Sequence, residues 1–229
     1  MKPTPNFSIE NEYPNMTVIG VDEAGRGPLA GPVIASAVIW PQTPDPWPLI
    51  TDSKQMTLAK RNAAYDWITK NTTWAIGIAS AEEIDEINIL QASLLAMKRA
   101  VENLPCHCER EARGNPVTPE PLELLDCHAR RHDRRRARND KIVLVDGNRP
   151  IPDLNCRPVV RGDSKSLSIA AASIIAKVTR DKIMNELHKA HPEYGWDKNA
   201  GYPTKSHIAA INEHGITEHH RRTFKPIKN

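Results

Sequence analysis

The first strong hydrophobic pattern in the chain is a short apolar run that stops at two acidic residues. Residues 16–22, MTVIGVD, are mostly apolar, end on Asp22 and are followed directly by Glu23. A second run, GPVIASAVIW at 31–40, is rich in β-branched residues. Runs of this length and composition are typical of buried strands. Because only a few residues separate them, the pattern favours an antiparallel pair.

Strand-like and helix-like segments alternate along most of the remaining chain. Further strands are predicted at 72–80, 141–148 and 156–163. Helical spacing or a helix-start signature predicts helices at 57–71, 80–88, 89–104, 168–192 and 204–215. The first half of 168–192 is apolar on nearly every side, so we expect it to be buried. This alternation predicts an α/β domain with a mixed sheet.

Residues 105–140 interrupt this alternation. They carry prolines at 105, 116, 119 and 121, many charges and weak periodicity, which predicts an insertion that is disordered or helical only in part. Its potential zinc ligands are Cys106, Cys108, Cys127, His128 and His132. Their spacing does not match a standard zinc finger, so we do not expect a zinc site. The arginines of this segment are either extra phosphate contacts or a solvated charge run.

Composition narrows the class of protein without choosing a function. The chain has 229 residues, 39% of them hydrophobic and 26% charged, which is typical of a globular domain. The net charge of +3 permits a nucleic-acid partner but does not by itself indicate one. We find no apolar stretch of membrane length and no secretory signal, and so expect no membrane contact. Four cysteines without an export signal predict free thiols and a cytoplasmic location.

Three of the strand-like segments end on carboxylates. Asp22 and Glu23 follow the first strand, and Asp146 and Asp163 end two later ones. Ligand chemistry in α/β sheets gathers at such strand ends, and clustered carboxylates repel one another unless cations neutralise them. Oxygen ligands suit Mg²⁺ or Mn²⁺, and two such ions form the arrangement used in phosphodiester cleavage. The alternative is that these acids are solvated turn residues.

A glycine–arginine–glycine sequence follows the first pair of acids. Gly25 and Gly27 would let backbone groups approach a ligand closely, and Arg26 between them can meet a phosphate. A plain turn between two strands would explain the same glycines. The adjacent acids favour the binding interpretation.

Several segments of the chain resemble the motifs of ribonuclease HII, the type 2 ribonuclease H family. The stretch GVDEAGRGPLAGPV at 20–33 resembles the family signature. The other similar segments are TDSKQMT (51–57), VDGNRP (145–150), RGDSKSLSIAAASIIAKVTRD (161–181), YGWDKNAGYPTKSH (194–207) and HGITEHHRRTF (214–224). They follow the family's order and together cover about residues 17–104 and 141–224. Several long motifs in one order are far more specific than a single short one.

The resemblance implies an enzyme, a metal-dependent endonuclease that uses two Mg²⁺ or Mn²⁺ ions. It would cleave the RNA strand of RNA–DNA hybrids and nick duplex DNA on the 5′ side of an embedded ribonucleotide, leaving 3′-hydroxyl and 5′-phosphate ends. A role in removing ribonucleotides from DNA is implied as well. The family's catalytic and metal-binding acids fall on Asp22, Glu23, Asp146 and Asp163. The implied fold is ribonuclease H-like, with a central mixed five-stranded sheet flanked by helices and a helical C-terminal portion.

The resemblance also implies which residues bind the substrate. The family's Gly-Arg-Gly motif, which reads the ribonucleotide 2′-hydroxyl largely through backbone groups, falls on Gly25, Arg26 and Gly27. The family's tyrosine that packs on the sugar beside the ribonucleotide falls on Tyr202. Candidate phosphate contacts by position and charge, with solvated surface lysines as the alternative, are Lys54 and Lys165.

Three other functions are compatible with part of this pattern. Ribonuclease HIII, the sibling type, usually carries an extra N-terminal domain, which we do not expect before a first motif that begins by Val18. Another two-metal enzyme of the same broad fold, such as a polynucleotidyl transferase, would not need Gly-Arg-Gly directly after Asp-Glu. A duplex-binding protein without catalysis would not need a complete set of four acids.

The chain is predicted to divide into three parts. These are a flexible lead-in (1–16), a catalytic domain (17–224) interrupted by the insertion at 105–140, and a tail (225–229). Nucleic acid is the expected partner, and a monomer is the expected state. The C-terminal TFKPIKN does not resemble a sliding-clamp motif, so no such partner is predicted.

Overall fold

The central element of the fold is a mixed five-stranded β-sheet. The computed structural model describes residues 4–41, 50, 56–105 and 140–227. The strands are β1 (Thr17–Ala24), β2 (Val33–Ile39), β3 (Thr73–Ala79), β4 (Lys141–Asp146) and β5 (Cys156–Val159), in the spatial order β3-β2-β1-β4-β5. Strand β1 pairs antiparallel with β2 and parallel with β4, so it lies at the centre of the sheet.

Helices cover both faces of this sheet. They are α1 (Leu58–Asn71), α2 (Ala81–Glu102), α3 (Leu167–Ala190), α4 (Trp196–Asn199) and α5 (Lys205–His214). Helix α2 packs on one face, where Ala96 and Ala100 meet Ile19 and Val21 of β1. Helices α1 and α3 cover the other face, around Val38 of β2. The short helices α4 and α5 follow α3 and form the C-terminal part.

The alternation of side chains along β1 decides which residues face α3. Because Ile19 and Val21 face α2, Gly20 and Asp22 point to the opposite side of the sheet. A methyl group on Gly20 would lie only 2.2 Å from the carbonyl carbon of Ser168, in the first turn of α3. Strand and helix therefore approach so closely that only glycine fits, and this contact places α3 directly against the acidic end of β1.

Helix α2 is built from two segments. It begins with a capping box, in which the Ser80 hydroxyl accepts from the Glu83 N–H and the Glu83 carboxylate accepts from the Ser80 N–H. At Asn88 the backbone leaves the helical region, with φ 66° and ψ 162°. The Asn88 side-chain oxygen then accepts from two N–H groups of the second segment. The break confirms the division into two helical segments that the sequence predicts.

The N-terminal segment is attached to the start of α3. Asn6 forms a short parallel bridge with Ser166. The buried Glu10 accepts hydrogen bonds from the Ser166 hydroxyl, at 2.7 Å, and from the Ser168 N–H, at 3.0 Å. A carboxylate at this place also complements the partial positive charge of the helix N-terminus. The sequence predicts a flexible lead-in over 1–16, and these contacts tie part of it to the domain.

The predicted fold class is confirmed, with the mixed sheet of five strands, helices on both faces and a helical C-terminal portion. The largest error in a strand bound concerns β5, which was predicted at 156–163 and ends at Val159. Arg161 adopts the left-handed conformation (φ 56°), which ends the extended backbone and starts a 3-10 turn, Gly162–Ser164. Asp163 therefore lies in this turn and not on the strand.

Some residues for which the sequence makes a prediction lie outside the described ranges. These include most of the predicted insertion, its five candidate zinc ligands and Lys54. Among the residues that the structure does describe, no helix is long and apolar enough to cross a membrane.

The close approach of β1 to α3 predicts a specific loss of stability. Gly20→Ala adds one carbon where the backbone of α3 leaves no space, and we expect it to lower the free energy of unfolding by about 1–3 kcal/mol or more. Ser36→Ala on β2 is the matched control, because it removes a buried hydroxyl without a hydrogen-bond partner and should be neutral or stabilising. Denaturant unfolding of both variants measures this; an unchanged midpoint for Gly20→Ala would contradict the packing.

Candidate functional site

The acidic residues predicted from the sequence lie at one edge of the sheet. Strands β1 and β4 are parallel neighbours, so their carboxyl ends meet at the same edge. Asp22 and Glu23 lie near the end of β1, and Asp146 is the last residue of β4. Asp22 is buried, Glu23 keeps only 11% of its side-chain surface exposed, and Asp146 is partly exposed.

A hydrogen bond attaches the Asp163 turn to this edge. The Asp146 carboxylate accepts from the Gly162 N–H at 2.6 Å. The turn is closed by two further bonds, from the N–H groups of Lys165 and Ser166 to the Gly162 carbonyl. Asp163 thus follows directly after the residue that binds Asp146, although the two acids are 17 positions apart in the chain.

The carboxylates at this edge of the sheet carry more negative charge than the neighbouring residues compensate. Burial raises the pKa of Asp22 well above its usual range, and the negative charges of Glu23 and Asp146 raise it further. Burial also raises the pKa of Glu23, against the lowering effect of Arg26, whose guanidinium lies 3.2 Å from it. One Glu23 oxygen, Oε2, is buried and has no hydrogen-bond partner. A cation bound at these oxygens would offset the free-energy cost of the buried negative charges and would give the unpaired Glu23 oxygen a partner.

The donor set fits a hard divalent cation, but the side chains are not gathered around one point. Within residues 4–41, 50, 56–105 and 140–227, no group of three or more His, Cys, Asp or Glu side chains is arranged so that it could hold a metal ion. The structure brings Asp22, Glu23 and Asp146 into electrostatic contact and places Asp163 in the turn that binds Asp146. All are carboxylates, the ligands that Mg²⁺ and Mn²⁺ prefer.

Gly25 takes a backbone conformation that its neighbours require. Its φ is +101°, and a Cβ atom there would lie 2.2 Å from Nε of Arg180. Arg180, on α3, is almost completely buried, and it donates to the carbonyls of Ala30, Pro32 and Ala200. The guanidinium therefore connects the segment after Gly25 with the segment that leads to Tyr202.

A second buried arginine holds the Gly25–Gly27 loop from the other end of the chain. Arg221 donates to the carbonyls of Gly25, Arg26 and Gly31, at 2.6–3.0 Å. Burial lowers the pKa of its guanidinium to about 9, and the nearby charge of Arg180 adds to this effect. With these carbonyls directed toward Arg221, the shape of the loop is set by the protein before any ligand binds.

Tyr202 lies against this loop. A Cβ atom on Gly27 would be 3.4 Å from Cε1 of the Tyr202 ring, and 46% of the tyrosine surface is exposed. The Gly201 carbonyl accepts from the Leu29 N–H at 2.7 Å, which joins the two segments through their backbones. Lys165 lies exposed beside the Asp163 turn. The structure thus places Gly27 and Tyr202 side by side, and both are residues that the family resemblance assigns to substrate binding.

Sequence reasoning missed several residues that shape the site. Ser173 of α3 hydrogen-bonds to Asp22, Arg221 holds the glycine loop, and Arg180 holds the segments that flank it. The signal for Ser173 was a polar residue within the apolar IAAASIIA stretch. For Arg180 and Arg221 there was no local signal, since a buried arginine and a surface arginine look alike in a sequence.

Comparison with known proteins gives one consistent result. A family model described as Ribonuclease HII matches residues 19–112 and 131–227. The ribonuclease HII of Wolbachia pipientis subsp. Culex pipiens (strain wPip) is 47% identical over 226 residues, which are 98% of this chain and 98% of that protein. Residues 113–130, which lie between the two matched ranges, fall within the insertion predicted at 105–140.

Two solved structures share the fold. The crystal structure of ribonuclease H2 from Pyrococcus horikoshii OT3 has a TM-score of 0.64 at 23% identity and covers 93% of this chain and 95% of its own. The crystal structure of Bst-RNase HIII in complex with Mn²⁺ has a TM-score of 0.61 at 17% identity and covers 93% of this chain and 68% of its own.

Because the acids are only partly compensated, we expect a gain in stability when one of them is neutralised. In a buffer with chelator at pH 7, we expect Asp22→Asn to raise the free energy of unfolding by about 1–2 kcal/mol, because the asparagine carries no buried charge. The folded-state pKa of Asp22 is raised, so its charge opposes folding above the ordinary aspartate range. The difference between variant and wild type should therefore shrink as the pH falls into that range.

The control for this measurement is Asp66→Asn, which changes an exposed aspartate on α1 and should leave stability almost unchanged. Thermal or denaturant unfolding of the three proteins at several pH values gives the comparison. A loss of stability in Asp22→Asn would mean that the carboxylate is better paired than its surroundings indicate.

Proposed function

The chain belongs to the ribonuclease HII family, and we propose that it is a metal-dependent endonuclease that also nicks duplex DNA on the 5′ side of an embedded ribonucleotide. The family membership makes it an RNase H-type hydrolase that acts on the RNA of RNA–DNA hybrids. The proposal adds the metal requirement, the position of the cut, 3′-hydroxyl and 5′-phosphate ends, and a role in removing ribonucleotides from DNA.

The observation that carries the metal requirement is the acidic edge of β1 and β4. Burial and neighbouring carboxylates raise the pKa values of Asp22 and Glu23, and Glu23 Oε2 has no partner. Mg²⁺ or Mn²⁺ would satisfy this oxygen and compensate the charges. A structure of similar fold, Bst-RNase HIII, was solved in complex with Mn²⁺, which supports the choice of ion.

The residues proposed to hold the metal are Asp22, Glu23, Asp146 and Asp163. When bound, two ions would activate the attacking water and stabilise the leaving oxygen. The chain's own contribution is to orient the ligands. Ser173 hydrogen-bonds to the Asp22 carboxyl, the Gly162 N–H binds Asp146 Oδ1, and Arg26 pairs with Glu23.

Recognition of the ribonucleotide is proposed for the Gly25–Gly27 loop and Tyr202. Arg221 holds the carbonyls of Gly25 and Arg26, which fixes the shape of the loop before a ligand binds and suits it to reading the 2′-hydroxyl. The exposed Tyr202 ring beside Gly27 offers a flat surface for the neighbouring sugar.

Other predicted contacts and properties belong to the same proposal. Lys165 is exposed next to the Asp163 turn, which supports a phosphate contact, whereas Lys54 lies outside the described residues. A duplex with ribonucleotides is the proposed partner, and a cytoplasmic monomer the proposed state.

One assay tests the proposal. A labelled DNA duplex with one ribonucleotide is incubated with the protein in Mg²⁺, in Mn²⁺ and in chelator. We expect a single nick 5′ of the ribonucleotide that needs metal, and a loss of about 10²-fold or more in Asp146→Asn because an acidic metal ligand is removed. Asp66→Asn, on the exposed side of α1, should cut like the wild type.

The results separate the parts of the proposal. Cleavage of a uniform RNA–DNA hybrid with no cut at the single ribonucleotide would refute the nicking activity alone. Cleavage that persists in chelator would refute the metal requirement.

A further inference from the structure

A buried group of rings lies next to the Tyr202 backbone. It consists of Tyr194, Trp196, His207 and His220, all 3% exposed or less, and is called the ring cluster below. The Tyr194 and Trp196 rings stack with centroids 5.1 Å apart, and the two imidazoles lie 5.4 Å apart. None of these side chains belongs to the acidic edge or to the Gly25–Gly27 loop.

The hydrogen bonds of the ring cluster fix the tautomers of both histidines. His220 Nδ1 accepts from the Thr217 N–H at 3.0 Å, so the proton of a neutral His220 is on Nε2. That Nε2 lies 3.3 Å from Nε2 of His207. The indole nitrogen of Trp196, which can only donate a hydrogen bond, lies 3.0 Å from Nε2 of His207. His207 Nε2 must therefore accept, and the His207 proton is on Nδ1.

This single Nδ1–H of His207 is directed at the backbone of Tyr202. The Nδ1 atom lies 2.9 Å from the Tyr202 carbonyl oxygen, and the Gly201 backbone makes a smaller hydrogen-bond contribution to the same imidazole. The Tyr202 oxygen also accepts from the Thr204 N–H at 2.8 Å. The preceding residues Ala200 and Gly201 both have positive φ, 48° and 80°, so the chain turns sharply just before Tyr202. Because the tyrosine ring is 46% exposed, its position depends on this backbone and much less on packing of the ring itself.

We propose that His207 is a positioning residue for Tyr202, whose carbonyl it holds so that the tyrosine ring keeps its place beside Gly27. The inference rests on the proposed role of Tyr202 in packing on the sugar next to the ribonucleotide. The ring of Tyr202 is within van der Waals distance of a Cβ at Gly27, so a shift of the Tyr202 backbone changes the gap into which the sugar would fit. Displacements of about 1 Å can cost 10²-fold in rate at such sites.

The chain offers a matched pair of substitutions. In His207→Asn, the side-chain amide nitrogen takes the place of Nδ1 and can still donate to the Tyr202 carbonyl, but no acceptor remains for Trp196. In His207→Gln, the longer side chain reaches the place of Nε2 and can accept from Trp196, but the donor to Tyr202 is lost. His207→Asn leaves the buried Trp196 N–H without its acceptor, and His207→Gln removes one of the two donors to the Tyr202 carbonyl, so both should unfold at lower denaturant concentration. Only the glutamine variant should release Tyr202.

The first readout is substrate discrimination, expressed as the ratio of kcat/KM for a single embedded ribonucleotide to kcat/KM for a uniform RNA–DNA hybrid. We expect His207→Gln to lower this ratio by about tenfold, and His207→Asn to keep it near the wild-type value. In a Tyr202→Ala background, His207→Gln should cause no further loss, because its effect passes through the tyrosine. Equal ratios in the two His207 variants would overturn the inference.

The second readout needs no activity. With 3-fluorotyrosine in place of tyrosine, the four tyrosines give four ¹⁹F resonances, and Tyr202→Phe identifies that of Tyr202. We expect this resonance to move or broaden in His207→Gln and to stay in place in His207→Asn. Those of Tyr13 and Tyr65, outside the ring cluster, are internal controls. A Tyr202 signal that is unchanged in His207→Gln would overturn the inference.

A measurement on the wild-type protein covers the case in which neither variant folds. Long-range ¹H–¹⁵N correlations distinguish the tautomers of the nine histidines, and the inference requires His207 to carry its proton on Nδ1. A proton on Nε2 would refute it. Failure of the proposed function looks different: the wild type would not nick, or Tyr202→Ala would keep the wild-type ratio, while the ¹⁹F result and the tautomer still decide whether His207 holds Tyr202.

Discussion

A carboxylate that is removed from water raises the free energy of the folded state unless a cation or several donors face it, and the end of β1 holds two such groups. Asp22 could be relieved by exposure, but the close contact of Gly20 with α3 keeps that side of the strand end covered. The surrounding residues offer only partial compensation, from Ser173 and Arg26. The fold therefore maintains a local excess of negative charge that a divalent cation would neutralise. Strand pairing, the Asp163 turn and the position of α3 all serve this one arrangement.

Beside the acids lies the Gly25–Gly27 loop, whose glycines allow many backbone conformations, and neighbouring side chains hold it in one of them. Backbone carbonyls need donors. Arg221 serves those of Gly25 and Arg26 in this loop, and Arg180 serves carbonyls of the adjoining segments, at Ala30, Pro32 and Ala200. Each guanidinium has five N–H donors in a rigid plane, so it can fix several carbonyls at once. The burial of two cations is unfavourable, as the lowered pKa of Arg221 shows. That cost indicates that the conformation of the loop is worth maintaining.

The parts of this architecture that depend on neighbouring residues could be predicted from the sequence, and those that depend on distant ones could not. The apolar runs, the Ser80 capping box and the acids at strand ends have local signatures, and the motif resemblance assigns the glycine loop and Tyr202 to substrate binding. The hydrogen bond between Arg221 and Gly25 joins residues 196 positions apart, and the local sequence around either residue contains no pattern that predicts it. The strand predicted to reach Asp163 ends at Val159, and the left-handed residue Arg161 starts a turn soon after it. Hydrophobic periodicity cannot predict such a single left-handed residue.

The two sides of the site differ in how they should respond to pH, and the difference follows from their chemistry. The acidic side depends on charge, so its state changes with protons, and the proposed metal ions would change it as well. The Tyr202 side is held by neutral groups: burial lowers the pKa of His220 to about 4, with smaller contributions from the nearby histidines His207, His219 and His191, and burial lowers the pKa of His207 as well. Both imidazoles therefore stay uncharged at neutral pH, and their tautomers keep one pattern of donors. Under the proposed function, the Tyr202 side would therefore stay constant over conditions in which the charge of the acidic edge changes, which would separate the selection of substrate from the rate of cleavage.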